Sequence, residues 1–171
     1  MSRAFVREGD GQVELPERAI SPHPNLVTPA GLAQIEANVR ALERARCAAR
    51  ESSRDAATGV HDAAALATIE RDLRYWMSRK SSARLIVPAA MPDAVRFGVQ
   101  VVLHALDGSS RPAKKLRIVG EDEADPAQGL LSYVSPAAEK LIGARLGDEV
   151  DFGGVTYEVG ALAPAEPPVS R

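Results

Sequence analysis

Apolar residues recur three and four positions apart in two stretches of the first half of the chain, the spacing of a helix that buries one face. The two stretches contain Leu32, Ile35, Val39 and Leu42, and then Leu66, Ile69, Leu73 and Trp76. Thr28 followed by Pro29 is a typical helix start, and Gly59 supplies the turn between the stretches. Two helices with one apolar seam each predict an antiparallel coiled-coil hairpin over residues 28–87.

After Pro88 the pattern changes to short apolar runs separated by turn residues, which is typical of strands. The predicted strands are Val95–Leu106, Lys114–Val119, Leu130–Val134, Val150–Phe152 and Thr156–Val159. Ser135 followed by Pro136 predicts a helix that runs to Ile142 and stops at Gly143. Residues 88–163 therefore form a small antiparallel β-sheet domain with one helix, and we expect an α+β fold class.

The two ends of the chain carry too few apolar residues to form a core of their own. Residues 1–27 are predicted to be an extended arm, because Pro22 and Pro24 exclude helix locally. The alternative is a segment that becomes ordered against a partner. Residues 164–171 are predicted to be a loose tail.

Charge and composition exclude several classes of protein. The net charge is −2, so bulk charge does not indicate a nucleic-acid binder, although basic residues exceed acidic ones by three between Pro29 and Val87. Cys47 is the only cysteine, which rules out an intrachain disulfide and fits the cytoplasm. No apolar run approaches the roughly 20 residues of a membrane span, so we expect no membrane partner.

Catalytic and ligand-binding motifs are few. We find no phosphate-binding glycine loop, no HExxH and no cysteine pair for zinc. The acidic loop 121–125 lacks the ligand spacing of a calcium loop, and we interpret it as a solvated turn rather than a cation site. Arg46, Arg50 and Arg54 lie four residues apart and share a helix face. This face is either solvated or a groove for phosphate or an acidic protein surface.

Several short motifs together resemble the GreA/GreB family of bacterial transcription elongation factors. They are Val27-Thr28-Pro29-x-Gly31-Leu32, Val95-Arg96-Phe97-Gly98, Ile118-Val119-Gly120-Glu121-Asp122-Glu123-Ala124-Asp125, Ser135-Pro136 and Leu146-Gly147-Asp148-Glu149-Val150. The resemblance implies a coiled-coil hairpin joined to an FKBP-like domain that docks at the secondary channel of RNA polymerase. It also implies a monomeric accessory factor that is not itself an enzyme, with nascent RNA nearby and no cofactor of its own.

The resemblance also implies roles for particular residues. Acids at the hairpin tip, here Asp55 and Asp62, would face the Mg²⁺ of the polymerase active site, which then cleaves backtracked RNA. Arg46, Arg50 and Arg54 would contact RNA or polymerase. Docking on the polymerase would involve the acidic loop and the start of the following helix, that is Glu121, Asp122, Glu123, Asp125, Ser135 and Pro136.

The tip departs from the family pattern. The family has a motif of the form Gly-Asp-Leu-Ser-Glu-Asn-Ala-Glu-Tyr, whereas this chain has Ser53 to Asp62 with its acids differently spaced. The hairpin is also about one heptad shorter per arm, which reduces its reach by about 10 Å. A cleavage-stimulating factor and a cleavage-inactive channel-blocking regulator therefore both stay open. From other classes, a peptidyl-prolyl isomerase and a coiled-coil adaptor are the alternatives.

Overall fold

The computed structural model describes residues 15–55, 60–108 and 111–164 of the 171-residue chain, without the side chains of 53–55 and 60–62. The chain divides into two compact units. One contains residues 15–20, 38–55 and 60–78, and the other contains residues 21–37, 79–108 and 111–164. Two of the three divisions, after residues 37 and 78, fall within helices, whereas the sequence places domain boundaries at residues 28 and 88. Those boundaries stay a prediction.

The two predicted helices are present, which confirms the helical hairpin. Helix α1 spans Pro29–Asp55 and helix α2 spans Val60–Ser82. Ile35 and Val39 of α1 and Leu73 of α2 are buried, as the apolar seams predict. Basic residues in the last turn of α2, Arg79 and Lys80, complement the negative end of its dipole. Among the described residues, no helix has the length and apolarity to cross a bilayer.

A short parallel pairing joins the chain segments on either side of the hairpin. Strand β1, Leu26–Val27, pairs with strand β2, Arg84–Leu85, so that Leu26 lies opposite Arg84 and Val27 opposite Leu85. The pair is extended by bonds from the Arg84 amide to the Asn25 carbonyl and from the Ile86 amide to the Val27 carbonyl. No sequence pattern predicts this pairing, and residues 26–27 belong to the predicted arm.

The C-terminal sheet contains five strands in the order β5-β4-β3-β7-β6. Their bounds are β3 Gln100–Ala105, β4 Lys114–Val119, β5 Leu130–Ser132, β6 Glu149–Phe152 and β7 Val155–Ala163. Three of the four pairings are antiparallel, but β5 runs parallel to β4. The predicted antiparallel sheet and the α+β class are confirmed, with one parallel pairing at this edge.

Some predicted bounds differ from the structure for local reasons. Strand β3 starts at Gln100 rather than Val95, because Val95 bonds the turn at residues 143–144 and Gly98 adopts a left-handed conformation. Helix α3 is only Pro136–Glu139, followed by turns as far as Gly143. Ser135 does cap it, because its hydroxyl oxygen accepts the amide proton of Ala138 at 3.2 Å.

The core of the second unit lies between the sheet and the turns around α3. Its buried members are Val95, Val101, Leu103, Leu116, Ile118, Leu131, Ala138, Leu141, Val150, Tyr157 and Val159. Alternate residues of β3 point into this core, as expected for a sheet with one covered face. The acidic loop follows β4 directly, so the buried Ile118–Val119 pair fixes where the loop begins.

Candidate functional site

The N-terminus of α1 meets the acidic loop in a set of polar contacts, centred on buried side chains, that we call the polar junction. Its members are Asn25, Thr28, Arg79, Asp122, Glu123 and Tyr133. Thr28 is the N-cap of α1, because its hydroxyl oxygen accepts the Gly31 amide at 3.0 Å. The same hydroxyl donates toward the Glu123 carboxylate, whose two oxygens lie 2.8 and 2.7 Å away. One buried side chain therefore caps the helix and binds the loop.

Two glycines allow this close approach. A Cβ atom on Gly31 would lie 2.5 Å from Oε2 of Glu123, and a Cβ atom on Gly120 would lie 2.5 Å from the carbonyl oxygen of Leu26. Real Cβ atoms essentially never approach so closely. Gly31 and Gly120 belong to two of the motifs quoted above, and the structure gives both the same role.

A buried ion pair forms the second part of the polar junction. Nε of Arg79 donates to a carboxylate oxygen of Asp122 at 2.5 Å, and the two side chains are only 3% and 14% exposed. The carbonyl oxygen of Arg79 accepts a bond of 2.6 Å from Nδ2 of Asn25. The end of α2 is thus bound to the acidic loop by an ion pair. It is also bound by a hydrogen bond to Asn25, which lies in the segment before α1.

Tyr133, the residue directly after β5, completes the polar junction. Its hydroxyl donates to the carbonyl oxygen of Pro24 at 2.5 Å, and its ring packs edge-on against Phe97 with centroids 5.9 Å apart. Burial raises the pKa of the Tyr133 hydroxyl, the charge of Glu121 raises it further, and Arg79 lowers it. The phenol therefore stays protonated and able to donate at neutral pH.

The structure corrects the interpretation of the acidic loop as a solvated turn. Asp122 and Glu123 bind Arg79 and Thr28, and Oε2 of Glu121 is buried without a hydrogen-bonding partner among the described residues. Asp125 caps a short 3-10 helix, Pro126–Gln128, by accepting the Ala127 amide at 3.0 Å. Asp122, Glu123 and Asp125 therefore have intramolecular functions that a count of acids does not reveal.

The predicted docking residues are divided by their contacts. Asp122 and Glu123 belong to the polar junction, Ser135 caps α3, and Pro136 is exposed at the first position of that helix. Whether any of them contacts a polymerase stays a prediction.

The predicted tip and arginine residues lie on the hairpin helices. Asp55 is the last residue of α1 and Asp62 is the third residue of α2, but their side chains, like that of Arg54, lie outside the described residues. Arg46 is half-buried, and Arg50 is exposed and bonds Glu70 of α2 at 2.7 Å. Within the described part of the chain, no three acidic, histidine or cysteine side chains are grouped to hold a metal ion.

A shallow groove on α1 shows that its basic residues do not form a uniformly positive face. It is lined by Arg40, Glu43, Arg44, Cys47, Ala48 and Glu51. Acids alternate with arginines along this groove, so its charge is mixed. The Arg46–Arg50–Arg54 face, by contrast, stays a predicted contact for RNA or polymerase.

Sequence reasoning missed most of the polar junction. Thr28 was predicted as a cap but not as a partner of Glu123, and Arg79 was not singled out. A positive charge in the last turn of a helix is explained by the helix dipole alone, so Arg79 gives no signal of its own. The one available signal was that Gly31 and Gly120 both stand in specific motifs.

Comparison with known proteins gives consistent matches. Residues 90–160 match the family model for the C-terminal domain of the transcription elongation factors GreA and GreB. GreB of Xanthomonas axonopodis pv. citri is 36% identical over 138 residues, which cover 74% of this chain and 80% of that protein. GreA of Desulfovibrio desulfuricans is 39% identical over 95 residues, which cover 53% of this chain and 57% of that protein.

Two solved structures of related proteins align over most of the chain. GreA factor homolog 1 (Gfh1) of Thermus thermophilus covers 82% of this chain and 99% of its own, with 19% identity and a TM-score of 0.37. A GreA/GreB factor of Nitrosomonas europaea also covers 82% of this chain and 98% of its own, with 13% identity and a TM-score of 0.38.

Proposed function

Because the chain belongs to the GreA/GreB family of transcription elongation factors, we propose that it binds bacterial RNA polymerase at the secondary channel and modulates elongation. The family resemblance expected from the motifs is confirmed. The match spans little more than half of the Desulfovibrio GreA, so activity and partner are proposals for this chain. We further propose that it works as a cytoplasmic monomer and that any RNA cleavage is performed by the polymerase.

The polar junction is the observation that supports this function most directly. It joins Val27-Thr28-Pro29-x-Gly31 to Gly120-Glu121-Asp122-Glu123, two of the motifs that carry the resemblance. A factor that docks with one domain and acts through a helical hairpin needs the first turn of that hairpin fixed to the docking domain. Thr28 and Arg79 meet this need, since both are buried and both bind the acidic loop.

The contacts suggest different roles for the proposed docking residues. Asp122 and Glu123 position the start of α1 and the end of α2, and they act on the polymerase through that positioning. Pro136 is exposed, and it is the docking residue that a partner can reach without breaking an internal bond. Glu121, Asp125 and Ser135 stay proposed docking residues, and Ser135 directly precedes Pro136 as the cap of α3.

The tip acids are proposed to act on the metal of the polymerase. Asp55 and Asp62 both lie beside the connection between α1 and α2, and carboxylates are the hard oxygen ligands that Mg²⁺ prefers. Held near a weakly bound Mg²⁺, such a carboxylate helps orient the attacking water. Arg46, Arg50 and Arg54 would contact the nascent RNA or the channel wall during this step.

The experiment is a transcript-cleavage assay on backtracked complexes of the cognate polymerase, with a parallel binding measurement. Wild type is compared with Asp55→Ala and Asp62→Ala, and with Asp93→Ala as a matched loss of an exposed acid. Cleavage that either tip variant abolishes without loss of binding supports the Mg²⁺ role. Binding and slowed elongation without cleavage identify the channel-blocking form. If wild type does not bind polymerase, the proposed function is wrong.

A further inference from the structure

The segment 15–20 lies against α2 and places an arginine on an aromatic pair. The guanidinium carbon of Arg18 lies 3.8 Å from the centroid of the Tyr75 ring and 5.6 Å from that of Trp76. The two rings pack edge to face, with centroids 5.2 Å apart and an angle of 83° between their planes. Nη1 of Arg18 is also 3.8 Å from a carboxylate oxygen of Asp72. Tyr75 and Trp76 follow Asp72 by three and four residues on α2. The three side chains therefore form a face suited to a guanidinium.

An acid beside Arg18 provides a second attachment. Glu17 accepts two bonds from Arg74, at 2.9 Å from Nε and 2.6 Å from Nη2. Segment 15–20 thus contacts α2 through two adjacent side chains. Glu17 binds an arginine, and Arg18 lies on the aromatic pair beside an acid. The sequence predicts an extended arm here, and these six residues have no regular secondary structure while they contact α2.

The attachment is open to exchange because most of the charged side chains that form it are exposed. The side chains of Arg74 and Glu17 are 56% and 61% exposed, and that of Arg18 is 38% exposed. Exposed ion pairs contribute little to stability, and the segment has no regular secondary structure to offset the entropy of ordering it. A competing ligand of the same chemistry can therefore displace it.

The chemistry of the face selects its ligand. Aromatic ring faces attract cations, and a planar guanidinium stacks on them better than an ammonium does. Oδ1 of Asp72, which Arg71 also binds at 3.0 Å, adds attraction for a cation, and the occupant that the structure shows is a polypeptide segment. The fitting partner is a polypeptide that presents an exposed arginine with an acid next to it.

We propose that Asp72, Tyr75 and Trp76 form an arginine-binding surface for a partner protein, and that residues 15–20 occupy it in cis until that partner replaces them. This interaction goes beyond the proposed function. Its test needs no polymerase, so its failure leaves polymerase binding untouched.

Trp76 is the only tryptophan of the chain, and its indole N–H therefore gives a single cross-peak in a proton–nitrogen correlation spectrum. In the full chain, Arg18→Ala is expected to shift this cross-peak, because the cation leaves the aromatic pair. Arg111→Ala is the matched control, since Arg111 is also exposed and paired with an acid, Asp107. It is expected to leave the cross-peak in place.

The binding experiment adds a capped peptide with the sequence of residues 15–20 to the full-length Arg18→Ala chain. The peptide is expected to move the Trp76 cross-peak back toward its wild-type position with a Kd of about 1–10 mM. Wild type is expected to respond about tenfold more weakly, because its own segment competes at high effective concentration. A peptide with Gln in place of Arg, or a chain that also carries Tyr75→Leu, is expected to show no saturable shift.

Two results would overturn the proposal. One is a Trp76 cross-peak that does not respond to Arg18→Ala. The other is a freed face that ignores the arginine peptide, or that binds the arginine and glutamine peptides equally well. The second result would mean that residues 15–20 only make an intramolecular contact with α2, and that α2 has no binding surface for a partner there.

Discussion

Two arginine–carboxylate pairs in this protein have similar bond lengths and opposite surroundings. Arg79 and Asp122 meet at 2.5 Å with side chains 3% and 14% exposed, whereas Arg50 and Glu70 meet at 2.7 Å with side chains 54% and 33% exposed. In water the attraction between such charges is weak, and inside a protein an unpaired charge is costly. Burial, rather than bond length, therefore decides how much stability is lost when each pair is broken.

The largest expected effect comes from removing the acid of the buried pair. Asp122→Ala leaves the Arg79 charge buried without its partner and is expected to lower the free energy of unfolding by about 3–5 kcal/mol. Urea denaturation measures it. The double variant Arg79→Met with Asp122→Ala removes both charges and should recover much of the loss. A double variant no more stable than Asp122→Ala would show that the buried charge is not the cause.

Close backbone approach at the polar junction gives the next effect. Gly120→Ala places a methyl group against the rigid carbonyl of Leu26 and is expected to cost about 1–3 kcal/mol of unfolding free energy. Gly31→Ala meets only the movable end of Glu123 and gains helix propensity of up to about 1 kcal/mol, so its net cost should be smaller. Thermal unfolding of both variants checks the order, and the reverse order would contradict the packing argument.

A smaller effect is expected at Tyr133, and it depends on pH. Tyr133→Phe removes the bond to the Pro24 carbonyl and should lower the unfolding free energy at pH 7 by about 0.5–1.5 kcal/mol. The pKa of Tyr133 is raised in the folded chain, so folding favours the neutral phenol. This contribution is fully present below the unfolded-state pKa of about 10 and is lost as pH rises through the folded-state value.

Denaturation of wild type and Tyr133→Phe at pH 7 and at about pH 11 tests this sign. The advantage of wild type should shrink or disappear at the higher pH. An advantage that grows with pH would mean that the ionised form, rather than the phenol, is the one held in the folded chain.

The smallest effect belongs to the exposed pair. Arg50→Ala is expected to change the unfolding free energy by about 0.5 kcal/mol or less, because the remaining Glu70 carboxylate keeps its access to water. The same denaturation series measures it, and added salt should leave the difference near zero. A loss comparable with that of Asp122→Ala would remove burial as the explanation of the comparison.

Elements with local signals could be predicted from the sequence. Thr28 and Pro29 mark the start of α1, and the apolar spacing continues through the helix without help from distant residues. Strand β4 was predicted with its observed bounds, since its apolar residues alternate with polar ones and Gly120 ends it. Ser135 was likewise identified as a cap from the two residues that follow the strand signal.

Elements that depend on partners far away in the sequence could not be predicted. Strands β1 and β2 are two residues long and carry no periodicity, so only the pairing of Leu26 with Arg84 creates them. Asp122 and Glu123 look like solvent-exposed acids until Arg79 and Thr28 are brought beside them. The contacts of the arm could not be predicted for the same reason, because the rings that Arg18 meets lie on α2.

The β1–β2 pairing has a consequence for how the hairpin can vary. Because Val27 and Leu85 are held side by side, residues 28–83 form a loop whose two ends are already closed. The entropy of closing a loop changes only slowly with its length, by about 0.6 kcal/mol for each doubling. Heptads can therefore be added to or removed from both helices in matched pairs while the β1–β2 pairing stays intact. Hairpin length can therefore vary independently of the rest of the fold, and insertion of one heptad per helix would give a longer hairpin closed by the same β1–β2 pairing.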